Sequence, residues 1–134
     1  MFQVNSIRIQ SPWFEHIVGG RKKIEGRVNV PPYSTFQKGT LLEIHHHETV
    51  SSSVPDDPER TKMVVREVVD VISFPTLEAF LGEGRMELAL PDVKSLEEGK
   101  RAYEKLLIAR KLEYEEYGMV AIYLKQIDEK QDCT

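Results

Sequence analysis

A short segment near the start of the chain concentrates charged side chains that could bind an anion or transfer a proton. Residues 20–27 read Gly-Arg-Lys-Lys-Ile-Glu-Gly-Arg. If this segment is a strand, its side chains alternate between two faces, so Lys23, Glu25 and Arg27 share one face and Lys22 lies on the other. Unpaired charges are costly to bury, so the charged face should open onto solvent, a cavity or a ligand. Periodicity alone slightly favours an exposed edge strand carrying a Glu25–Arg27 ion pair.

The element before this segment should be a short helix that leads the chain into it. Ser11 is a suitable N-cap, Pro12 suits the first helical position, and Gly19 predicts the end. Trp13 begins an apolar stripe at helical spacing, which predicts a core anchor; stacking on a nucleobase is the alternative. His16 lies off the stripe and is predicted to face solvent.

A histidine run raises the question of a metal site. In a strand over residues 41–47, alternation places Glu43, His45 and His47 on one face. Two imidazoles could bind a metal, but a structural or catalytic zinc site needs three or four protein ligands. No further cysteine or histidine cluster supplies them, so we predict neither a metal nor a cofactor.

The remaining pattern predicts a mixed α+β domain. Five strands are expected, at residues 2–9, 22–30, 41–47, 61–73 and 119–124. Three helices are expected, at residues 12–18, 77–81 and 96–117, the last two capped by Thr76 and Ser95. The last helix should bury a stripe formed by Leu96, Tyr103, Leu106, Leu107, Tyr114 and Tyr117. Residues 49–60 are polar and predict a mobile loop.

Size and composition suit one globular domain. The chain has 134 residues, 40% of them hydrophobic and 30% charged. We expect a domain over residues 1–126 and a disordered polar tail over residues 127–134. The net charge of -4 argues against nonspecific binding to duplex DNA. The lone Cys133, with no signal peptide or membrane span, predicts a cytoplasmic or nuclear protein.

The order and spacing of these features resemble the ASCH family of the PUA-like superfamily. The resemblance covers nearly the whole chain and rests on the Trp13 helix, residues 20–27, Gly39 in Lys38-Gly39-Thr40, the strand ending at Ile72-Ser73-Phe74, Leu77 and Phe80 of the short helix, and Tyr117-Gly118-Met119-Val120-Ala121-Ile122. It implies a small β-barrel of about five to six strands, with helices around a cleft.

The resemblance also implies a ligand and the residues that hold it. ASCH proteins have a proposed role in binding RNA or modified nucleosides, and the cleft residues correspond to Lys22, Glu25 and Arg27. Beside them, Lys23 is a further ligand-binding candidate, and Trp13 or Tyr33 is expected to stack on a base. The expected partner is single-stranded RNA, a nucleoside or a nucleotide. The oligomeric state is left open.

Two other functions stay open at this point. One ASCH branch hydrolyses the acetyl amide of N4-acetylcytidine; its lysine matches Lys22, but its presumed threonine nucleophile stands where this chain has Glu25. In such an enzyme Glu25 would be the general base and Lys22 would polarise the amide oxygen. Two neighbouring cations should lower the pKa of Glu25, which weighs against that role. A protein-interaction domain that docks through the charged face of the last helix is the third possibility.

Overall fold

The computed structural model describes residues 5–46 and 63–127, and these form five strands. The strands are β1 (Asn5–Ile9), β2 (Ile24–Val28), β3 (Leu41–His46), β4 (Met63–Phe74) and β5 (Met119–Gln126). They make one sheet in the order β1-β3-β4-β5-β2, in which only the β1–β3 pair is parallel. The predicted loop at 49–60, His47 and the tail beyond residue 127 lie outside the described residues.

Five α-helices accompany the sheet in the described ranges. They are α1 (Trp13–Val18), α2 (Leu77–Phe80), α3 (Arg85–Ala89), α4 (Leu96–Leu106) and α5 (Lys111–Tyr117), with short 3-10 turns at Tyr33–Thr35 and Ile108–Arg110. The predicted class, a small α+β fold with a curled PUA-like sheet, is confirmed. The expected helix count of three is too low. None of the helices described is long and apolar enough to cross a bilayer.

Buried apolar side chains pack against both faces of strand β5. Met119 and Ala121 pack with α2, α4 and β2, whereas Ile122 and Leu124 pack with β1, β3 and α1. A continuous apolar run in place of strict alternation is what a strand covered on both sides requires. Its predicted position inside the sheet is confirmed, because β4 and β2 flank it.

The long C-terminal helix that we predicted is two helices. Leu107 leaves helical geometry, and the 3-10 turn after it redirects the chain before α5 begins. The apolar stripe is not buried along its whole length: Leu96 and Tyr117, at its two ends, are 46% and 52% exposed, while Tyr103 and Tyr114 are buried. The predicted cap is confirmed, since the Glu98 amide donates to Ser95 Oγ over 3.1 Å.

A register shift changes which faces the β4 side chains occupy. Val68 pairs with Leu124 and Asp70 pairs with the next residue, Tyr123, so Val69 has no partner in the ladder and is exposed. Such a bulge inverts the alternation beyond it. Val68 and Val71, expected on opposite faces, consequently pack into the same cluster.

His16 is buried, so the prediction that it faces solvent is wrong. Its Nδ1 accepts a hydrogen bond from Arg21 Nε over 2.9 Å, and its Nε2 lies 3.5 Å from Asp92 Oδ2. The ring lies against Trp13, with 5.9 Å between ring centroids. His16 therefore helps to fix the end of α1 and the turn before β2.

Candidate functional site

A cavity of about 120 Å³ lies where the two edges of the sheet approach each other. The end of β1, the start of α1, strand β2 and the end of α4 form its walls. Its lining residues are Arg8, Ile9, Gln10, Trp13, Lys22, Glu25, Gly26, Arg27, Leu90, Tyr103, Leu106 and Leu107. The cavity thus combines a charged part from β2 with an apolar part from the helices.

The side chain of Arg27 joins the two edges of the sheet. Strands β1 and β2 occupy opposite ends of the strand order, and no backbone pairing joins them in the structure as described. The Nη2 group of Arg27 donates to the carbonyl oxygen of Arg8 over 2.9 Å. We call this contact region between β1 and β2 the seam, and the cavity lies directly beside it.

Lys22 is held inside the protein just before β2 begins. Its side chain is 2% exposed, and its amine donates to the carbonyl oxygens of Ile24 and Ala89 over 2.7 and 2.6 Å. The same nitrogen lies 3.0 Å from Glu25 Oε1. An ammonium group has three hydrogens, so these partners use all of its donors. Burial lowers the pKa of Lys22, and the attraction of Glu25 offsets only part of that effect.

Glu25 lies between two cations and is itself buried. Oε1 faces the Lys22 amine, and Oε2 accepts from Arg27 Nε over 2.7 Å. Burial alone would raise the pKa of this carboxyl group, but the attraction of Lys22 and then of Arg27, with their hydrogen bonds, outweighs burial. The net pKa is lowered, so Glu25 is a carboxylate at neutral pH.

Arg27 completes the charged cluster at the mouth of the cavity. Burial would lower its pKa, but the adjacent Glu25 carboxylate outweighs burial and raises it. The Nη1 group lies 3.4 Å from the Tyr33 hydroxyl, and the guanidinium lies 5.2 Å from the centroid of that ring. Three of its five N–H groups have partners, which leaves two for a ligand.

Gly26 and Tyr103 belong to the site, although the sequence did not single them out for it. A Cβ on Gly26 would lie 2.5 Å from Phe80 and 2.8 Å from the Tyr103 hydroxyl, so only glycine fits. The Tyr103 hydroxyl is buried beside the Gly26 backbone, with which it interacts without forming a hydrogen bond of standard geometry. Burial, and then the charge of Glu25, raises the pKa of Tyr103 well above its usual value. A glycine inside a predicted strand was the available signal for this close approach.

The structure brings most of the predicted site residues together, but not all. Lys22 joins Glu25 in spite of the opposite faces that we predicted, because β2 begins only at Ile24 and alternation does not apply before it. Lys23 is exposed and lines a separate hollow with Arg66 and Lys125. Trp13, half-buried, lines the cavity and also packs against both core clusters.

The histidines on β3 do not form a metal centre in the part of the chain described. His45 Nε2 lies 3.2 Å from Glu43 Oε1, which agrees with the predicted shared face. Over residues 5–46 and 63–127, no group of three potential ligands comes together.

Fold and site together define a small α+β domain with a charged cleft at the seam of a curled sheet. The chain belongs to the ASCH family, because the model of the ASCH domain matches residues 7–128. Membership of this family supports a general RNA-binding or hydrolase-like domain. A search of curated proteins found no match.

Solved structures that share the fold include the following three. The crystal structure of the hypothetical protein PH0355 is 24% identical and superposes with a TM-score of 0.73, over 93% of this chain and 100% of that one. The solution structure of protein PF0455 from Pyrococcus furiosus is 24% identical, with a TM-score of 0.67 over 94% and 99% of the two chains. A tyrosine-to-phenylalanine mutant of ZmASCH from Zymomonas mobilis is 17% identical, with a TM-score of 0.57 over 96% and 77%. At these identities, the likeness concerns the fold alone.

Proposed function

We propose that the cavity binds one nucleobase of single-stranded RNA, or of a free nucleoside or nucleotide. The observation that carries this proposal is the cluster of Lys22, Glu25 and Arg27 beside a small cavity with apolar walls. A base needs such a mixed environment, because its faces are apolar while its edge carries hydrogen-bond donors and acceptors.

The size of the cavity supports a single base over a larger ligand. Pockets for drug-sized ligands usually measure about 300–1,000 Å³, whereas this cavity measures about 120 Å³. The apolar side chains of Trp13, Leu90 and Leu106 can contact the faces of a ring. A duplex cannot place a paired base in so small a space, so the site suits an unpaired one.

Charged groups with spare hydrogen-bonding capacity can read the edge of that base. Each carboxylate oxygen of Glu25 can accept a second hydrogen bond, so Glu25 can take one from an exocyclic amine. A neighbouring N–H of Arg27 can donate to a ring nitrogen or oxygen. The amine of Lys22 has no hydrogen to spare, so Lys22 positions Glu25 and donates no hydrogen bond to the ligand.

Amide hydrolysis fits this arrangement less well. A carboxylate with a lowered pKa is a weak general base, and Glu25 has one. The Lys22 amine would have to abandon a carbonyl or Glu25 before it could polarise a substrate oxygen. Both features favour a binding site over the amidohydrolase alternative.

The test is a titration of short oligomers of cytidine, adenosine and uridine at several salt concentrations. We expect the cytidine and adenosine oligomers, whose bases carry an exocyclic amine, to bind about tenfold more tightly than the uridine oligomer. This is the discrimination that one well-placed hydrogen-bonded contact to a base provides. Glu25→Gln should reduce that ratio, whereas Glu97→Gln, which makes the same charge change at an exposed position on α4, should preserve it. If no oligomer binds, or if both variants keep the ratio, the proposal is refuted.

The same preparations distinguish the hydrolase. Wild-type protein is incubated with N4-acetylcytidine, and the release of cytidine is followed by chromatography. We expect no release above the background without protein. Release by the wild type that Glu25→Gln abolishes would establish the amidohydrolase instead.

A further inference from the structure

Another hollow, distinct from the one that Lys23 lines, adjoins the cavity at Arg27. Its volume is about 360 Å³, and it is lined by Ser6, Ile7, Arg8, Arg27, Tyr33 and His45. Arg8 and Arg27 line both spaces. The two spaces are therefore adjacent, and these two arginines form their common boundary.

Arg27 keeps two hydrogens without a described partner, and its side chain lines the hollow as well as the cavity. Its Nε is used by Glu25, while Nη1 and Nη2 each contact one residue of the hollow wall, Tyr33 and the Arg8 backbone. Each terminal nitrogen carries two hydrogens, so one on each is unused. If one of these N–H groups donates to the base, the other can donate to a phosphate oxygen, to which the guanidinium also offers its positive charge.

Arg8 supplies a second positive charge at the same place. Its side chain is exposed, and no described residue offers the guanidinium a hydrogen bond or ion pair. Glu43 on β3 is paired with His45, with 3.2 Å between Glu43 Oε1 and His45 Nε2. The hollow thus presents two arginines within a chain whose net charge is -4.

We propose that this hollow is a phosphate subsite, in which Arg8 and Arg27 bind the phosphate attached to the nucleoside whose base occupies the cavity. The inference rests on the proposed function and narrows it, since the preferred ligand is then a nucleotide or an RNA strand and not a free nucleoside. Arg27 contributes to both parts of the site, whereas the Arg8 guanidinium serves the phosphate.

Calorimetric titration of four related ligands tests the subsite. They are cytidine, its 3′-monophosphate, its 5′-monophosphate and the dinucleotide in which a phosphodiester joins two cytidines. We expect at least one phosphorylated ligand to bind about tenfold or more tightly than cytidine, because a charge-assisted hydrogen bond to a phosphate adds that much. A gain for the dinucleotide identifies a strand as the source of the phosphate, and a gain for a monophosphate alone identifies a free nucleotide.

The measured quantity is the ratio of the dissociation constants of cytidine and its phosphorylated form. Arg8→Gln should lower this ratio, because only Arg27 then remains to bind the phosphate, and it should reduce the slope of log affinity against log salt by about 0.7 to 1. Arg101→Gln makes the same change of charge at an exposed position on α4 and should leave both quantities unaltered.

The possible outcomes separate this inference from the proposed function. If cytidine binds but phosphate adds nothing, or if Arg8→Gln retains the gain, the subsite is refuted and the base site stands. If none of the four ligands binds, the base site is refuted and the subsite falls with it.

Discussion

Replacing Lys22 by methionine should destabilise the protein severely. The unbranched methionine side chain fills a similar space but lacks the amine, so the carbonyl oxygens of Ile24 and Ala89 lose a donor. Glu25 at the same time loses the cation 3.0 Å from its Oε1. Removing one partner of a buried ion pair costs about 3–5 kcal/mol, because the remaining charge stays buried. That is a large part of the roughly 5–15 kcal/mol that stabilises a typical domain.

Urea unfolding followed by circular dichroism measures this cost. With a slope of about 2 kcal/mol per molar urea, the midpoint should fall by about 1.5–2.5 M. Lys105→Met removes an exposed amine from α4 and should change the free energy of unfolding by less than about 0.5 kcal/mol. The comparison therefore isolates the buried contacts of Lys22 from the general effect of losing a lysine.

A double-mutant cycle identifies the interaction responsible. If Lys22 and Glu25 stabilise each other, Lys22→Met combined with Glu25→Gln should cost at least about 1 kcal/mol less than the sum of the single losses. The reasoning is refuted if Lys22→Met alone costs less than about 1 kcal/mol, or if the two losses add.

Three further predictions concern the residues around this cluster. Gly26→Ala should lower the free energy of unfolding, measured in urea, by about 1–3 kcal/mol, because the added Cβ would lie 2.5 Å from Phe80. Gly82→Ala, whose Cβ would have no atom nearer than 3.5 Å, is the control, and equal losses in the two variants would contradict this packing argument. Tyr103→Phe removes a buried hydroxyl that forms no hydrogen bond of standard geometry, so the free energy of unfolding should change by less than about 1 kcal/mol. A larger loss would show that its interaction with the Gly26 backbone stabilises the protein. The lowered pKa of Glu25 adds stability above its unfolded value of 4.5, and this contribution is lost as the pH falls further. The difference between the urea unfolding midpoints of wild type and Glu25→Gln should therefore become smaller as the pH falls below 4.5. A difference that does not change with pH would contradict the lowered pKa.

Local chemistry in the sequence was enough to predict much of the fold. The Thr76 and Ser95 caps form the predicted hydrogen bonds, to the amides of Ala79 and Glu98. The apolar run from Met119 lies inside the sheet, as a strand covered on both sides must. These features depend on residues close together in the chain, which is why a single sequence reveals them.

Other features depend on distant contacts that no local pattern contains. The alternation rule misplaced Lys22 because the start of β2 is set by pairing with β5, nearly a hundred residues away. The close approach of Tyr103 to Gly26 likewise needs the packing of α4 on β2. The break at Leu107 interrupts a stripe whose spacing suits one continuous helix, so spacing alone could not reveal it.

A ligand bound at the seam would connect the two outer strands of the sheet. Arg27 reaches the Arg8 carbonyl across the gap between the first two strands of the chain, which are the terminal strands of the sheet. A molecule that binds both arginines would add a second connection at the seam, where no backbone pairing joins the two strands in the structure as described. Amide hydrogens along both outer strands should then exchange more slowly in the complex, including those too far away to meet the bound molecule.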